Sequence, residues 1–222
     1  MNKLLVIHPQ DDTTEFLNPI WDFISRKFTD IIVHNVSFDD AEHNVAKKAI
    51  SDYSGQNILF LGHGSTTHFK GAKNDSYSNE TFICKADFSL FKDKTILNFS
   101  CKSADFFRYE KSFNYIGFDD IPSDMIEVTG AREFEHNIYP DVDEDVINYF
   151  KAVLVQIVTN SVYDWLEGDF DAQKLYNRMK IRINREIINC LKKNKDLKFK
   201  KAIIGLLDNL KKDMTYFCTS YY

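Results

Sequence analysis

Five short runs of Val, Ile, Leu and Phe, spaced along the first half of the chain, limit most strongly what this sequence can fold into. The runs are continuous rather than alternating, which is typical of strands covered on both faces. Stretches with helical spacing of apolar residues lie between them, at Thr14–Lys27 and Asp39–Ser51. This alternation predicts an α/β fold with a mostly parallel central sheet flanked by helices. The predicted strands are Lys3–Ile7, Ile31–Val36, Asn57–Leu61, Thr95–Phe99 and Asn114–Phe118.

The pattern changes to a helical period after Pro140. Apolar residues then recur every three or four positions, with acidic residues at the start of the first such stretch. No linker separates this region, so we expect one domain over residues 1–222, with a sheet core at 1–140 and helices packed on it at 141–214. The predicted helices are Asp141–Tyr163, Asp171–Leu191 and Leu197–Met214.

A polar, turn-rich stretch separates two of the predicted strands. Ser65–Glu80 (STTHFKGAKNDSYSNE) has the composition of a surface loop, and loops of this length are often functional. A short extra strand is expected after it at Phe82–Cys84, followed by a helical turn at Asp87–Phe91.

Composition argues against several classes of protein. No apolar run approaches the roughly 18 to 20 residues that cross a bilayer, and the apolar start of the chain is too short for a signal peptide. The four cysteines of this 222-residue chain are irregularly spaced and form neither a disulfide framework nor a zinc motif. We expect a cytoplasmic protein with reduced thiols, no metal and no membrane partner.

Charge is unevenly distributed. The formal net charge of −5 argues against a nucleic-acid ligand. Lys174–Lys212, however, holds thirteen Lys and Arg residues against three acids. Such a stretch is typical of a solvated helix face that leans towards an acidic body. It could also be a docking surface for an acidic partner.

Two predicted strands end in residues that can carry chemistry. Asn57–Leu61 leads into Gly62-His63-Gly64, and Thr95–Phe99 leads into Ser100-Cys101. The carboxyl ends of parallel strands lie at one edge of the sheet, so neighbouring strands would bring His63 and Cys101 together. An imidazole could then withdraw the thiol proton, because the thiolate is the nucleophile.

Neighbouring residues could assist such a pair. A helix predicted at Lys102–Arg108 would favour the thiolate through its N-terminal amides. Gly64 has no Cβ, so its N–H could approach a substrate carbonyl and form an oxyanion hole with the amide of Cys101. Taken singly, a cysteine at a strand end is more often a small buried apolar residue, and a histidine between glycines is usually part of a turn. The combination is rarer and favours catalysis.

Other polar residues have open roles. Asp11, its neighbour Gln10 or Asp12, or a backbone carbonyl after the first strand could orient the imidazole of His63. The alternative is a solvated loop that caps a helix. Asp119 and Asp120 could favour a basic residue before the cleaved bond, or cap a turn ahead of Pro122. A different possibility is that Arg108 or Arg132 receives an acidic residue.

The two strand ends carry a family resemblance. The segment ILFLGHGS resembles the His-Gly block of caspase-like (clan CD) cysteine peptidases, and TILNFSCKSADF resembles their Cys block. The HGS form and the spacing are most similar to bacterial CHAT domains, and NYIGFDDIP and WLEGDFDAQKLYNRMK resemble later CHAT segments. Phe99 stands where metacaspases have an Asp, so the family's specificity determinants do not transfer.

The resemblance implies a fold and an activity. The fold is a three-layer caspase-like sandwich. Cys101 would be the nucleophile, His63 the general base and acid, and Gly64 an oxyanion donor, with no metal or organic cofactor. The substrate would be a protein or peptide, cleaved as part of a bacterial defence or cell-death system. Because the chain carries no sensor domain, a separate sensor or activator protein is expected.

Two other classes of function remain open. One is a caspase-like module that binds a partner through the same edge without catalysis; inactive relatives usually lose one member of the pair, and both are present here. The other is an α/β hydrolase or a flavodoxin-like binding domain. The absence of GxSxG and GxGxxG motifs weighs against the second class.

Overall fold

A six-stranded sheet forms the centre of the protein. The computed structural model of the chain describes residues 3–9, 11–72, 77, 80–136, 138–193 and 195–219. The strand order is β2-β1-β3-β6-β7-β8, and every neighbouring pair is parallel except β7 with β8. The predicted mostly parallel sheet is therefore confirmed. Its strands are β1 (Leu4–Pro9), β2 (Ile31–Val36), β3 (Asn57–Leu61), β6 (Thr95–Phe99), β7 (Asn114–Gly117) and β8 (Thr215–Phe217).

Helices cover both faces of this sheet. Successive side chains of a strand point to opposite faces, so Leu59 packs into one apolar cluster and Ile58 into the other. The first cluster lies under the long helices, and the second lies under α2 and a group of aromatic rings. The helices are α1 (Asn18–Lys27), α2 (Asp40–Asp52), α3 (Ser103–Phe106), α4 (Met125–Phe134), α5 (Glu144–Gly168), α6 (Ala172–Lys192) and α7 (Leu197–Asp213).

The C-terminal helices follow the predicted pattern closely. Each of α5, α6 and α7 begins after an aspartate whose carboxylate accepts a hydrogen bond from the amide three residues later, which satisfies an N-terminal donor. The helix α5 runs to Gly168, five residues beyond its predicted end at Tyr163, with Trp165 and Leu166 fully buried. The buried residues of α5, α6 and α7 belong to the same apolar cluster as residues of the strands, so these helices pack directly on the sheet. None of the helices in the described part of the chain combines the length and apolarity of a membrane span.

The prediction that Ser65–Glu80 is a surface loop is wrong for part of this stretch, which forms a strand. It contains the strand β4 (His68–Lys70), which pairs antiparallel with β5 (Thr81–Cys84) in a two-stranded sheet. The predicted strand Phe82–Cys84 corresponds to β5. Residues 73–76 and 78–79 of the predicted loop lie outside the described residues.

Phe69 fixes this hairpin on the second face of the sheet. Its ring is 2% exposed. The ring centroid lies 4.7 Å from that of Phe60 in β3 and 4.9 Å from that of Phe106 in α3. Burial of such a ring stabilises the packing of the hairpin against the strands that lead to His63 and Cys101.

We expect Phe69→Ala to lower the free energy of unfolding by about 3 to 5 kcal/mol, because it removes a buried ring and leaves a cavity. Urea denaturation followed by circular dichroism measures the change. The matched control is Phe134→Ala, since Phe134 is 94% exposed and its removal should change stability by less than about 0.5 kcal/mol. Equal effects of the two variants would contradict this account of the hairpin.

Candidate active site

His63 and Cys101 leave the sheet side by side. The strands β3 and β6 are parallel neighbours, and Leu61 pairs with Phe99 at their carboxyl ends. The two loops that follow therefore begin at the same level of the same edge. His63 and Cys101 line one narrow cleft of about 20 Å³, together with Thr14, Phe16 and Ile121 among others. The juxtaposition expected from the sequence is present.

The imidazole of His63 is held by the turn that follows β1. Its Nε2 lies 2.6 Å from the hydroxyl oxygen of Thr13 and 3.7 Å from the carboxylate of Asp11. Thr13 in turn donates its hydroxyl to Asp11 at 2.5 Å. Asp11 is thus near His63, as predicted, but Thr13 stands between them. Sequence reasoning missed Thr13, because an exposed threonine in a turn carries no signal of its own.

A buried histidine joins the strand ends below this site. The Nδ1 of His8 lies 2.7 Å from the carbonyl oxygen of Leu61, and its Nε2 lies 2.8 Å from Oδ1 of Asn18. His8 is 2% exposed. It therefore links β1, β3 and α1 immediately before the turn that carries His63. Gln10, a neighbouring candidate for orienting the imidazole, lies outside the described residues.

The thiol of Cys101 is bound to the backbone of Ile121. Sγ lies 3.5 Å from the carbonyl oxygen of Ile121, to which the thiol donates, and it accepts the Ile121 N–H at 3.3 Å. Burial raises the pKa of Cys101 to about 12, and the negative charges of Glu127 and Asp120 add to this. The Ile121 N–H and Lys102 act in the opposite direction but do not outweigh burial. In this arrangement Cys101 is a neutral thiol.

The helix after Cys101 is shorter than predicted. α3 spans only Ser103–Phe106 instead of Lys102–Arg108, and Lys102 ahead of it has a left-handed backbone with φ of 58°. The N–H of Lys102 donates to the carbonyl of Asp119, and that of Ala104 to the carbonyl of Phe118. Because these amides are already used, the expected stabilisation of a thiolate by the start of a helix is not present in this structure.

Gly64 lies in close contact with the turn that carries Cys101. A Cβ at this position would be 2.5 Å from the carbonyl oxygen of Cys101 and 2.5 Å from Oγ of Ser100. Gly64 also forms an antiparallel β-bridge with Phe69. In this bridge the N–H of Ser65 donates to the carbonyl of His68, and the N–H of Lys70 donates to the carbonyl of His63. The hydrogen bonds of that bridge therefore do not use the N–H of Gly64.

The predicted acidic pair contacts a lysine. The ammonium of Lys102 lies 2.7 Å from Asp119 and 2.8 Å from Asp120. Asp120 lines a larger cleft of about 470 Å³ that begins at Cys101, whereas Asp119 is not among the residues that line it. The ammonium of Lys102 thus partly offsets the charge of both carboxylates.

Glu127 is a second acidic residue of the larger cleft, and sequence reasoning missed it. Its carboxylate accepts hydrogen bonds from the N–H and the hydroxyl of Ser123, which fix it at the start of α4. Arg132 on the same helix donates to the carbonyls of Tyr139 and Val142, and Arg108 pairs with Asp105. Neither arginine lines the cleft, which weighs against the idea that one of them receives an acidic substrate residue.

The described residues contain no group of side chains arranged as a metal site. Among residues 3–9, 11–72, 77, 80–136, 138–193 and 195–219, no three His, Cys, Asp or Glu side chains converge closely enough to hold an ion. What the arrangement offers chemically is a buried thiol, an imidazole at the same cleft and a backbone amide beside both. These are the parts of a nucleophilic site.

Gly64→Ala should destabilise the fold by about 1 to 3 kcal/mol, because its methyl group would overlap the carbonyl of Cys101. Thermal unfolding measures the loss. Gly130→Ala is the matched control: a Cβ there meets nothing within 4 Å, and the change lies inside α4, so stability should rise by up to about 1 kcal/mol. A Gly64→Ala variant as stable as the Gly130→Ala variant would contradict the contact.

Cys101 should react slowly with iodoacetamide at pH 8. A pKa raised from 9.0 to about 12 lowers the thiolate fraction at pH 8 about a thousandfold, and the rate should still be increasing with pH between pH 8 and 10. Peptide mass spectrometry gives the rate at each cysteine. Cys84 and Cys218 have the same intermediate exposure as Cys101, and they serve as reference thiols within the same chain. Alkylation of Cys101 as fast as that of both references would disprove the resting state described above.

Comparison with known proteins does not place the chain in a family. No model of a known protein family matches the chain, and a search of curated proteins gives no significant match. The assignment of a function therefore depends on the residues and their geometry.

Proposed function

We propose that the protein is a cysteine endopeptidase of the caspase-like type, with Cys101 as nucleophile and His63 as general base and acid. The observation that carries the proposal is the placement of both residues at the ends of adjacent parallel strands, on one cleft. Gly64 beside them supplies a backbone amide that the hairpin bridge does not use. The resemblance of the His and Cys segments to CHAT domains supports the same function.

The reaction proceeds through an acyl-enzyme. His63 takes the proton of Cys101, and the sulfur attacks the carbonyl carbon of the scissile peptide. The N–H groups of Gly64 and Cys101 donate to the oxyanion that forms. The carbon–nitrogen bond breaks as His63 returns its proton to the leaving amine. Water then hydrolyses the thioester, with His63 again accepting a proton, and the free thiol is restored.

This mechanism requires a change from the resting arrangement. The thiol of Cys101 is bound to Ile121, and the imidazole of His63 is bound to Thr13. Before attack, the thiol must leave Ile121 and come within hydrogen-bonding distance of His63. A separate sensor or activator protein would supply the energy for this step by binding the active arrangement more tightly.

The charge around the larger cleft favours a basic substrate residue. Lys70 and Lys102 line it, but each is paired with acids. The acidic side chains on or beside the cleft outnumber these two lysines; they are Glu80, Asp119, Asp120 and Glu127. A Lys or Arg before the cleaved bond would meet this surplus of negative charge. The substrate is a protein or peptide of the cytoplasm, in a bacterial defence or cell-death system, and nucleic acid is not a direct ligand.

One observation favours a second function, that of a non-catalytic caspase-like interaction module. Burial raises the pKa of Cys101 to about 12, and the thiol is occupied by Ile121. A thiol that stays in this state behaves as a small buried apolar group. The cleft of about 470 Å³ would then bind a partner segment without cleaving it.

Cleavage of a peptide library separates the two functions. We expect Cys101→Ala and His63→Ala each to reduce cleavage by at least about 1,000-fold, with unchanged circular dichroism spectra. Cys218→Ala, a partly exposed thiol elsewhere, is the control and should retain wild-type rates. The residue preferred before the cut is read from the same products. Undiminished cleavage by Cys101→Ala would refute the enzyme proposal, and binding of library peptides without cleavage by the wild type would favour the interaction module.

A further inference from the structure

Thr13 occupies the position between the imidazole of His63 and the nearest carboxylate. Its hydroxyl oxygen lies 2.6 Å from Nε2 of His63 and 2.5 Å from Oδ1 of Asp11. The direct separation between Nε2 and the carboxylate is 3.7 Å, which is too long for a hydrogen bond. Any influence of Asp11 on the protonation of His63 through hydrogen bonds therefore passes through Thr13.

The protons at this hydroxyl can be counted. A carboxylate oxygen only accepts hydrogen bonds, whereas a hydroxyl has one proton to donate and two lone pairs. If the Thr13 proton pointed to His63, two oxygens with lone pairs would face each other across 2.5 Å with no proton between them. The proton therefore points to Asp11, and the Thr13 oxygen accepts from His63. Nε2 must then carry a hydrogen.

We infer that Thr13 is a positioning residue that, with Asp11, fixes His63 in the tautomer with hydrogen on Nε2. This inference rests on the proposed function for its catalytic meaning. It leaves Nδ1 as the nitrogen that can take the proton of Cys101, and it assigns Nε2 to orientation. When His63 becomes an imidazolium, the carboxylate 3.7 Å away stabilises the positive charge without accepting the proton.

The turn that carries Thr13 is well fixed. The backbone N–H of Thr13 donates to the side chain of Asp11 at 2.9 Å, and the N–H of Thr14 donates to the Asp11 carbonyl at 2.9 Å. The hydroxyl of Thr14 donates to backbone carbonyls of Pro9 and Asp11. A threonine side chain is also restricted at χ1. The hydroxyl is thus held in place before a substrate arrives.

Nitrogen NMR of histidine-labelled protein tests the tautomer without any enzymatic reaction. The signals of His63, identified among the six histidines by their loss in His63→Ala, should show hydrogen on Nε2 in the wild type. Thr13→Val should give a mixture of tautomers, and Thr13→Ser should restore the wild-type signals. Hydrogen on Nδ1 in the wild type, or an unchanged spectrum in Thr13→Val, would overturn the inference.

Kinetics of peptide cleavage give the second readout. We expect Thr13→Val to lower kcat by up to about 100-fold with little change in KM, and Thr13→Ser to recover most of the rate. Thr13 is exposed, so all variants should fold, which thermal unfolding verifies. Equal kcat in Thr13→Val and wild type would contradict the positioning function. The NMR result holds or fails whether or not the protein cleaves peptides, so failure of the proposed function is distinguished from failure of this inference.

Discussion

The parallel pairing of β3 with β6 is the constraint on which the rest of the site depends. Both strands are covered on both faces, so a shift of β3 by one residue against β6 would place Leu59 in the wrong cluster. The hydrophobic packing of the two layers therefore fixes the register. The register in turn fixes where His63 and Cys101 leave the sheet. The placement of the two candidate residues at one edge of the sheet is thus a consequence of core packing.

The same burial that positions Cys101 also suppresses its reactivity. A thiol at the end of a buried strand loses solvation, and the neutral form is favoured because a thiolate would be poorly stabilised there. Ile121 supplies both a donor and an acceptor, which suit a neutral thiol. For the peptidase proposed above, this arrangement would make the resting state inactive.

The sequence predicted the sheet and the long helices because their patterns are strong. Buried strands appear as continuous apolar runs, and α5 to α7 repeat apolar residues over many turns. It did not predict α4, whose residues Ile126 and Phe134 are exposed and whose Gly130 interrupts the pattern. The three-residue strands β4 and β8 are too short to show alternation. Elements of this kind are defined by tertiary contacts.

Some residues of the candidate site could likewise be predicted from the sequence, and others could not. His63, Cys101, Gly64 and Asp11 follow from strand ends and residue type. Thr13 could not be inferred, because its importance depends on distances across 50 residues of sequence. The pairing of Cys101 with Ile121 depends on a side-chain rotamer and on the path of the chain after β7, and neither is encoded in a local motif.

Lys102 closes one of the two structural units that flank the cleft. It joins the turn after β6 to the segment after β7 by its backbone N–H and by its ammonium, so Cys101 and Ile121 belong to one closed unit. Thr13 and His63 belong to the other, which is built on β1 and β3. The two units are joined by the pairing of β3 with β6 and by the close contact of Gly64 with the carbonyl of Cys101. The core therefore keeps the two strand ends at a fixed separation, and an approach of the thiol to the imidazole would come from the side chains of Cys101 and His63, whose present partners Ile121 and Thr13 hold them by hydrogen bonds.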